Sequence, residues 1–467
     1  MTTATVAQQK ASSRRGTELA LLVFAVLTAL AAYVIEGLNR QGSVPPGVVG
    51  YGIGFGLLAA AAHLAVRRFA PYADPLLLPL VVLVNGLGLV LIHRLDPAIA
   101  EAARRVGNQP PRAMAPVQLV WTALGIALFV LVLWLIRDHR TLQRYTYTAM
   151  AVGLALLAIP ALLPGQYSEV NGARIWIRVA GFSIQPGEFA KLIVIVFFSG
   201  YLVVKRDVLA LASKRVLGID LPRGRDLGPL VVAWAVSLLV LIFEKDLGTS
   251  LLFFGVFVVM LYIATERTSW VIFGVTLFMA GAFIASQIFA HVQKRVDAWL
   301  DPFADAQDAG FQMVQSLFGF ASGGLLGTGL GKGHPEELRF AINSDFILVT
   351  VGEELGLTGL MALLVVYALI VERGLRTALA VRDSFGKLMA AGLSTALALQ
   401  IFVVAGGVMK LIPLTGMTLP FVAAGGSSLV ANWALIAMLL RISDAARRPA
   451  PAPAPTPDQE MTQVVKL

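Results

Sequence analysis

Long apolar runs separated by short polar segments dominate the chain. A helix that spans a membrane needs about 20 mostly apolar residues. Runs of this kind recur at positions 18–36, 48–66, 75–93, 118–136, 146–164, 187–204, 228–243, 247–264, 269–290, 346–370, 388–409 and 418–440. The pattern predicts an all-α integral membrane protein, a polytopic bundle of about 12 transmembrane helices with a large extracytoplasmic loop at 291–345.

The two ends of the chain lack such runs. Residues 1–16 are polar and residues 442–467 are rich in proline and alanine, so both are predicted to be disordered cytoplasmic tails. A short basic tract precedes the first apolar run, which makes a cleaved signal peptide an alternative. The length of that run and its continuation into a second run favour a helix that stays in the membrane.

Basic residues concentrate in alternate connecting segments. If the N-terminus lies inside, the inner segments contain Arg67, Arg68, Arg137, Arg140, Arg144, Lys205, Arg206, Lys214, Arg215, Arg223, Arg225, Arg373, Arg376, Arg382, Lys387, Arg441, Arg447 and Arg448. Cytoplasmic loops are enriched in lysine and arginine, so this bias predicts that both termini are cytoplasmic. Outer exceptions near Arg104, Lys294, Arg295, Lys332 and Arg339 are candidates for contact with anionic ligands.

Composition supports the same class of protein. Of 467 residues, 57% are hydrophobic and 14% charged, and the mean hydropathy of +0.77 excludes a soluble globular chain. There is no cysteine, and the five histidines show no HExxH spacing, which argues against disulfides, thiolate metal sites and metal hydrolases. The net charge of +9 reports membrane topology and gives no reason to expect a nucleic-acid partner.

Two groups of charged residues stand at helix ends near the membrane rim. Glu188 and Lys191 lie three residues apart on one helical face, so they form either an internal ion pair or a site where Lys191 meets an anionic ligand. Asp246 stands where it would cap the next helix. The alternative is that this turn supplies Lys245 as a cation to an outer cavity.

A third carboxylate, Asp345, stands where the long outer loop enters a predicted span. It is either a helix cap or a base for proton abstraction beside an anionic substrate. The preceding segment is rich in glycine and contains Lys332 and Arg339, which favours the base. This segment fails the GxxxxGK[ST] pattern of nucleotide loops, because Leu326 replaces the first glycine and Gly333 follows the lysine.

Several ordered motifs carry a family resemblance. They are Asn171-Gly-Ala-Arg-Ile-Trp-Ile177, Gln185-Pro-x-Glu-x-x-Lys191, Asp246-Leu-Gly-Thr-Ser250, Asp301-Pro-Phe-x-Asp305, Gly310-Phe-Gln-x-x-Gln-Ser316, Gly329-Leu-Gly331, Ser344-Asp-Phe-Ile347, Gly352-Glu-Glu-Leu-Gly356 and Gly425-Gly-Ser-Ser428. The chain resembles the SEDS family (shape, elongation, division and sporulation), which contains RodA, FtsW and SpoVE, and is most like the actinobacterial type of RodA. The resemblance covers a membrane core at 75–441 and leaves 17–74 as an additional N-terminal helix pair.

The resemblance implies a peptidoglycan glycosyltransferase. Such an enzyme polymerises lipid II at the outer face of the cytoplasmic membrane, transferring the growing glycan from undecaprenyl pyrophosphate to an acceptor sugar hydroxyl, for cell elongation or division. Asp345 matches the family's catalytic aspartate, and we assign it the role of base. The residues assigned to substrate contacts are Arg174, Trp176, Glu188, Lys191, Lys245, Lys332, Glu337, Arg339, Gln312, Gln315 and Ser316.

The resemblance also implies partners. A class B penicillin-binding protein, a transpeptidase, is the expected protein partner. The chain itself is expected to be a multi-pass protein of the bacterial cytoplasmic membrane, in contact with membrane lipids. No cofactor is certain, and a divalent cation (Mg or Mn) bridging pyrophosphate and carboxylates is an expectation. Two other functions stay open: a lipid II flippase or other transporter, and a non-catalytic scaffold of the elongation or division complex.

Overall fold

In the computed structural model, the structure describes residues 14–105, 107–170, 173–179, 182–210, 212–216, 219–222, 232, 235, 236, 239, 246–338 and 342–449. Its α-helices are α1 Arg15–Gln41, α2 Val48–Phe69, α3 Leu77–Arg105, α4 Ala115–Leu135, α5 Thr146–Leu162, α6 Gly165–Ser168, α7 Pro186–Ala210, α8 Leu247–Thr265, α9 Thr268–Ile288, α10 Ala290–Leu300, α11 Phe311–Gly323, α12 Ile347–Ala380, α13 Ser384–Val408 and α14 Gly426–Arg447. Short 3-10 helices occupy His139–Tyr145 and Pro335–Leu338.

Eleven helices in the described part of the chain are long and apolar enough to cross a membrane. They are all of the α-helices except α6, α10 and α11. The predicted class, an all-α polytopic membrane protein, is confirmed. The predicted span at 228–243 lies almost entirely outside the described residues.

Within the described residues, three short antiparallel strand pairs interrupt the helical pattern. They pair β1 Glu169–Val170 with β2 Ala173–Arg174, β3 Ile177–Val179 with β4 Phe182–Ile184, and β5 Ala212–Val216 with β6 Ile219–Pro222. The first two fill the segment between α5 and α7. The hydropathy pattern did not predict them, because strands this short leave no periodic signal.

The middle of the bundle is formed by α3, α13 and α14. In their most apolar segments 78%, 83% and 89% of residues are buried, against 28% in both α1 and α2. Trp433 of α14 is fully buried and packs against Gly125 of α4, where an added Cβ would stand 2.6 Å from its ring. The first two helices are therefore peripheral, with one side left to lipid.

The helix pair α1–α2 is nevertheless fixed to the rest of the bundle at both ends. Near one end, the buried Glu18 carboxylate bonds to His63 of α2 at 2.8 Å and pairs with Arg15, which donates to the carbonyls of Pro71 and Ala73. Near the other end, the Asn39 amide donates to the carbonyl of Leu330 at 2.8 Å. The predicted domain boundaries at 17–74 and 75–441 stay predictions.

The long helix α12 is broken at Gly356. Its φ of 67° and ψ of −171° are not helical, and the neighbouring glycine-rich segment closes on the break. The N–H groups of Leu357 and Thr358 donate to the carbonyls of Gly324 and Leu325 at 2.9 and 3.1 Å. These bonds satisfy backbone donors that would otherwise be unpaired at membrane depth.

Candidate functional site

Asp345 lies in a partly buried position two residues before α12, facing the loop between α13 and α14. One carboxylate oxygen, Oδ2, stands 3.9 Å from the point that a Cβ would occupy at Gly416. Nη2 of Arg295 stands 3.5 Å from the same point. Gly416 has a φ of +79°, so the loop brings its backbone against a carboxylate and a guanidinium at a residue with no side chain.

Burial raises the pKa of the Asp345 carboxyl from its ordinary value of 3.8 to about 6. The Ser344 hydroxyl and the positive charge of Arg295 act in the opposite direction, while the negative charge of Asp246 adds to the increase. At neutral pH the group is still mostly ionised. It is therefore a stronger proton acceptor than a free aspartate and stays available in its basic form.

Arg295 is a site residue that the predicted substrate-contact set omitted. It projects from α10, and its Nη1 donates to the carbonyls of Leu414 and Thr415 at 3.2 and 2.9 Å. On the same helix Trp299 donates its indole N–H to the carbonyl of Lys410 at 3.1 Å. Helix α10 thus holds the loop that faces Asp345. The available sequence signal was the unusual outer pair Lys294 and Arg295.

Asp246 has the capping geometry that the sequence allowed. It is the N-cap of α8, accepting the backbone N–H of Thr249 at 2.9 Å and its hydroxyl at 2.6 Å. Burial raises the pKa of Asp246, and Arg295 lowers it. Its neighbour Lys245 lies outside the described residues, so its predicted substrate contact stays a prediction.

Glu188 and Lys191 form an ion pair at the start of α7. The Lys191 ammonium lies 2.9 Å from Glu188 Oε2, and its side chain is only 4% exposed. It also donates to Gln400 of α13 at 2.8 Å, and Gln400 in turn donates to the carbonyl of Thr418 at 3.1 Å. The internal-pair alternative describes this geometry, and it ties α7 to the same loop that faces Asp345. The substrate-binding role of the pair stays a prediction.

Arg174 and Trp176 lie in the hairpin segment between α5 and α7. The Arg174 side chain is 46% exposed and pairs with Glu169 at 3.1 Å. Trp176 is half-buried, and its backbone N–H donates to Ser168 at 3.2 Å. The segment ends where the N–H of Gln185 donates to the Ser427 hydroxyl at 3.1 Å, which joins it to the start of α14.

The glycine-rich segment is held by the two acids of α12. Glu353 accepts the N–H of His334 at 2.7 Å, and Glu354 accepts the N–H of Gly331 at 2.8 Å. Arg94 of α3 is buried and donates to Glu354 at 2.8 Å and to the carbonyl of Gly333 at 2.6 Å. These contacts give the acidic pair a structural role.

The other predicted contact residues are spread over the long segment between α9 and α12. Lys332 and Glu337 are exposed, and Gln312 and Gln315 are half-buried on α11. Ser316 is buried and donates to the carbonyl of Val408 at 3.1 Å, which is a packing role. Arg339 lies outside the described residues.

Comparisons with known proteins agree with this architecture. The family model described as cell cycle protein, covering FtsW, RodA and SpoVE, matches residues 75–448. The peptidoglycan glycosyltransferase RodA of Mycobacterium bovis is 54% identical over 440 residues, which cover 94% of this chain and 92% of that protein.

Two solved structures share the fold. RodA of Thermus thermophilus superposes with a TM-score of 0.54 at 24% identity, over 81% of this chain and 98% of that one. A chain from a structure on the coordination of polymerization and crosslinking by a peptidoglycan synthase complex gives a TM-score of 0.57 at 24% identity, over 77% and 98%. The resemblance carried by the motifs is confirmed: the chain belongs to the FtsW, RodA and SpoVE family.

Proposed function

We propose that this protein polymerises lipid II into glycan strands, with Asp345 as the base. The enzyme class predicted from the motifs, a peptidoglycan glycosyltransferase, is confirmed by the naming of its relative at 54% identity. The single observation that supports the assignment of the base is the position of Asp345, a carboxylate with a pKa of about 6 that faces Gly416 together with Arg295.

The proposed step is a displacement at the donor's anomeric carbon. The acceptor sugar hydroxyl forms a new C–O bond there, and the bond to undecaprenyl pyrophosphate breaks with its electron pair. Asp345 takes the hydroxyl proton as the bond forms. Because the hydroxyl becomes more acidic as it attacks, a carboxylate with a raised pKa accepts its proton late in the step.

The departing pyrophosphate needs positive charge. Arg295 is the cation that the described residues place beside Asp345, and its Nη2 faces Gly416 rather than the loop carbonyls. A guanidinium suits phosphate because it offers several N–H donors in one plane. Of the other predicted contacts, Arg174 and Lys332 are exposed and supply further cations, whereas the Lys191 charge is balanced by Glu188 at 2.9 Å.

The lipid tails need apolar routes alongside the helices. One cavity of about 320 Å³ lies among α5, α7 and α8, with Leu154, Phe197 and Phe257 in its wall. Another, of about 640 Å³, lies between α12 and α13 and reaches Met409 and Leu411 at its outer end. The loop that contains Leu411 also contains Gly416, so the second route leads toward the proposed base.

A divalent cation would have to bridge ligand and protein. Within the described residues no group of three histidine, aspartate or glutamate side chains is arranged to hold a metal. Magnesium commonly takes one or two carboxylates together with substrate phosphates and water. Both oxygens of Asp246 are engaged with Thr249, and Asp345 would be a weaker base if it bound a cation. A cation at this site would therefore be held mainly by the substrate phosphates.

The proposed partner is a class B penicillin-binding protein. The supporting observation is the fold shared with a chain from a peptidoglycan synthase complex that coordinates polymerization and crosslinking. We place the termini in the cytoplasm. This orientation accounts for the basic inner segments. Arg15 near the start of α1 contacts Ala73, and Arg447 at the end of α14 contacts the adjacent Asp74, so the two ends lie at the same face of the bundle.

The test is glycan-strand synthesis from labelled lipid II by the purified protein with its class B partner. We expect Asp345→Asn to lower the rate by at least about 100-fold, because a positioned base contributes 10² to 10⁴. Asp308→Asn, which changes an exposed acid of the same outer loop, is the matched control and should keep the wild-type rate.

Other outcomes would contradict the proposal. If Asp345→Asn keeps its full rate while wild type makes polymer, Asp345 is not the base and the base must be another residue. The structure already places Phe346, with no side-chain cap, at the N-cap of α12. If wild type makes no polymer with any partner but moves labelled lipid II across vesicles, the protein is a transporter. If neither reaction occurs and cells with Asp345→Asn still grow, the protein is a non-catalytic scaffold.

A further inference from the structure

A polar cavity, distinct from the two apolar ones, lies at the opposite end of α12 from Asp345. Its volume is about 690 Å³. It is lined by Arg14, Thr17, Tyr72, Ala73, Pro75, Leu76, Arg373 and Arg447. The unbroken part of α12 from Gly356 to Arg373 alone spans roughly 25 Å at 1.5 Å per residue, so the cavity does not belong to the proposed active site.

The cavity has an excess of positive charge. Behind its wall the fully buried Asp74 accepts from Arg373 Nε at 2.8 Å and from Arg447. Three arginines line the cavity, and Asp74, which contacts two of them, neutralises one of their three charges. Within the described part of the chain, the Arg14 guanidinium has no ion-pair partner.

Neighbouring acids do not cancel this excess, because each has its own cation. Glu18 pairs with Arg15, and Asp444 pairs with Arg448 at 2.7 Å. Glu372 pairs with Arg376. The cavity thus presents two unbalanced positive charges, and a phosphate group would balance them.

The walls fit a phosphate attached to lipid. Thr17 and Tyr72 are polar, whereas Ala73, Pro75 and Leu76 are apolar. Phe24 lies seven residues after Thr17, on the same face of α1, and is 66% exposed. An acyl chain would find this apolar surface directly beyond the cavity. Basic pockets between membrane helices characteristically bind anionic headgroups.

From this geometry we propose that the cavity among α1, α12 and α14 binds the phosphate of an anionic phospholipid. Arg14 and the free faces of Arg373 and Arg447 hold the phosphate oxygens, since planar guanidinium groups bind phosphate through paired N–H donors. Asp74 keeps the two deeper arginines in place. The proposal does not depend on the glycosyltransferase assignment.

The experiment compares lipid binding to the full-length protein by native mass spectrometry. Phosphatidylglycerol and phosphatidylcholine are titrated separately, and bound lipid is counted. We expect one phosphatidylglycerol to bind in clear preference to phosphatidylcholine. Arg14→Gln should weaken that binding roughly fivefold, since a basic residue near a lipid surface contributes about 1 kcal/mol. Arg447→Gln should weaken it by a similar factor, while Arg373 still neutralises Asp74.

Arg67→Gln is the matched control, because it removes the same charge from an exposed position on the same face, outside the cavity. It should leave the binding of phosphatidylglycerol unchanged. Equal binding of both lipids, or an equal loss in Arg67→Gln and Arg14→Gln, would overturn the proposal, since either means diffuse attraction. Inorganic phosphate is titrated in parallel, and displacement of the lipid by millimolar phosphate would assign the cavity to free phosphate instead. Unchanged melting temperatures of the variants establish that they are folded.

Discussion

Protonation of Asp345 sets the lower pH limit for the proposed base. Its carboxyl has a pKa of about 6, and only the deprotonated form accepts a proton. We expect the rate of glycan synthesis to fall about tenfold per pH unit below 6 and to level off above it. A pH–rate profile on lipid II measures this. A rate that stays constant down to about pH 5 would contradict a base with a raised pKa.

Arg295 adjusts the same ionisation. Its positive charge favours the carboxylate of Asp345, so Arg295→Gln should raise the apparent pKa and move the acidic limb of the profile to higher pH. Arg295→Lys keeps the charge but not the two bonds from Nη1 to the loop. It should leave the limb near its wild-type position and lower the rate. Identical profiles for the two variants would rule out an electrostatic role.

Sequence motifs identify Asp345 but not its surroundings. The contact from Arg295 to Leu414 joins residues 119 positions apart, and that from Lys191 to Gln400 spans 209. No local pattern reports such pairs, because helix packing decides them. The cap at Asp246 could be predicted from its residue type and its position at a helix start, because the capping bonds form within one turn.

Among the helices, α12 depends on a glycine at its break. A Cβ at Gly356 would stand 2.3 Å from the backbone N of Gly327, at a φ that side chains rarely adopt. We expect Gly356→Ala to lower the free energy of unfolding by at least about 3 kcal/mol, from strain and overpacking together. Chemical denaturation in detergent measures the change.

Gly324→Ala is the control for that prediction. Gly324 also has a positive φ, but nothing lies within 4 Å of its Cβ position. Backbone strain alone should cost about 1 to 2 kcal/mol. Equal losses in the two variants would mean that the close approach of the glycine-rich segment does not stabilise the break.

Helix α3 shows what hydropathy misses. The predicted span ends at residue 93 because Arg94 follows, yet the helix continues to Arg105. Arg94 is buried at 2% exposure and pairs with Glu354, which is fully buried. A charge that is neutralised by a distant helix does not end a span, and only the packed structure reveals that partner.

The pair between Arg94 and Glu354 is expected to matter for stability. Arg94→Met leaves the Glu354 carboxylate buried without its cation, which should cost about 3 to 5 kcal/mol. Adding Glu354→Gln should restore part of that loss, and a double-mutant cycle on the free energy of unfolding measures it. Arg105→Gln, which breaks an exposed pair with Glu101, should change nothing measurable.

For the whole molecule, Asp74 joins elements far apart in sequence. It links the segment before α3 to Arg373 of α12 and Arg447 of α14, and its N–H donates to Ser443. We expect Asp74→Asn to lower the free energy of unfolding by roughly 3 kcal/mol, because two facing arginines lose their counter-charge. Asp207→Asn removes a 92% exposed acid and should have no effect, as parallel denaturation curves would show.

The class of the fold and the positions of the eleven described spans follow from hydropathy, because lipid requires long apolar helices wherever the chain crosses it. Which helices pack against each other cannot be predicted from hydropathy, since every lipid-facing helix carries a similar apolar pattern. The central position of α13 and α14 and the peripheral position of α1 and α2 emerge only from packing. The position of the N-terminal pair is the clearest example.

The hydrogen bond from Asn39 to Leu330 connects the helix pair α1–α2 to the glycine-rich segment. Leu330 adjoins Gly331, which is held by Glu354 of α12, and α12 begins two residues after Asp345. A binding partner that contacts α1 and α2 would therefore be coupled through these bonds to α12, the helix that follows the proposed base. We expect Asn39→Ala to speed amide hydrogen exchange at 326–333 and to leave exchange at 301–310 unchanged.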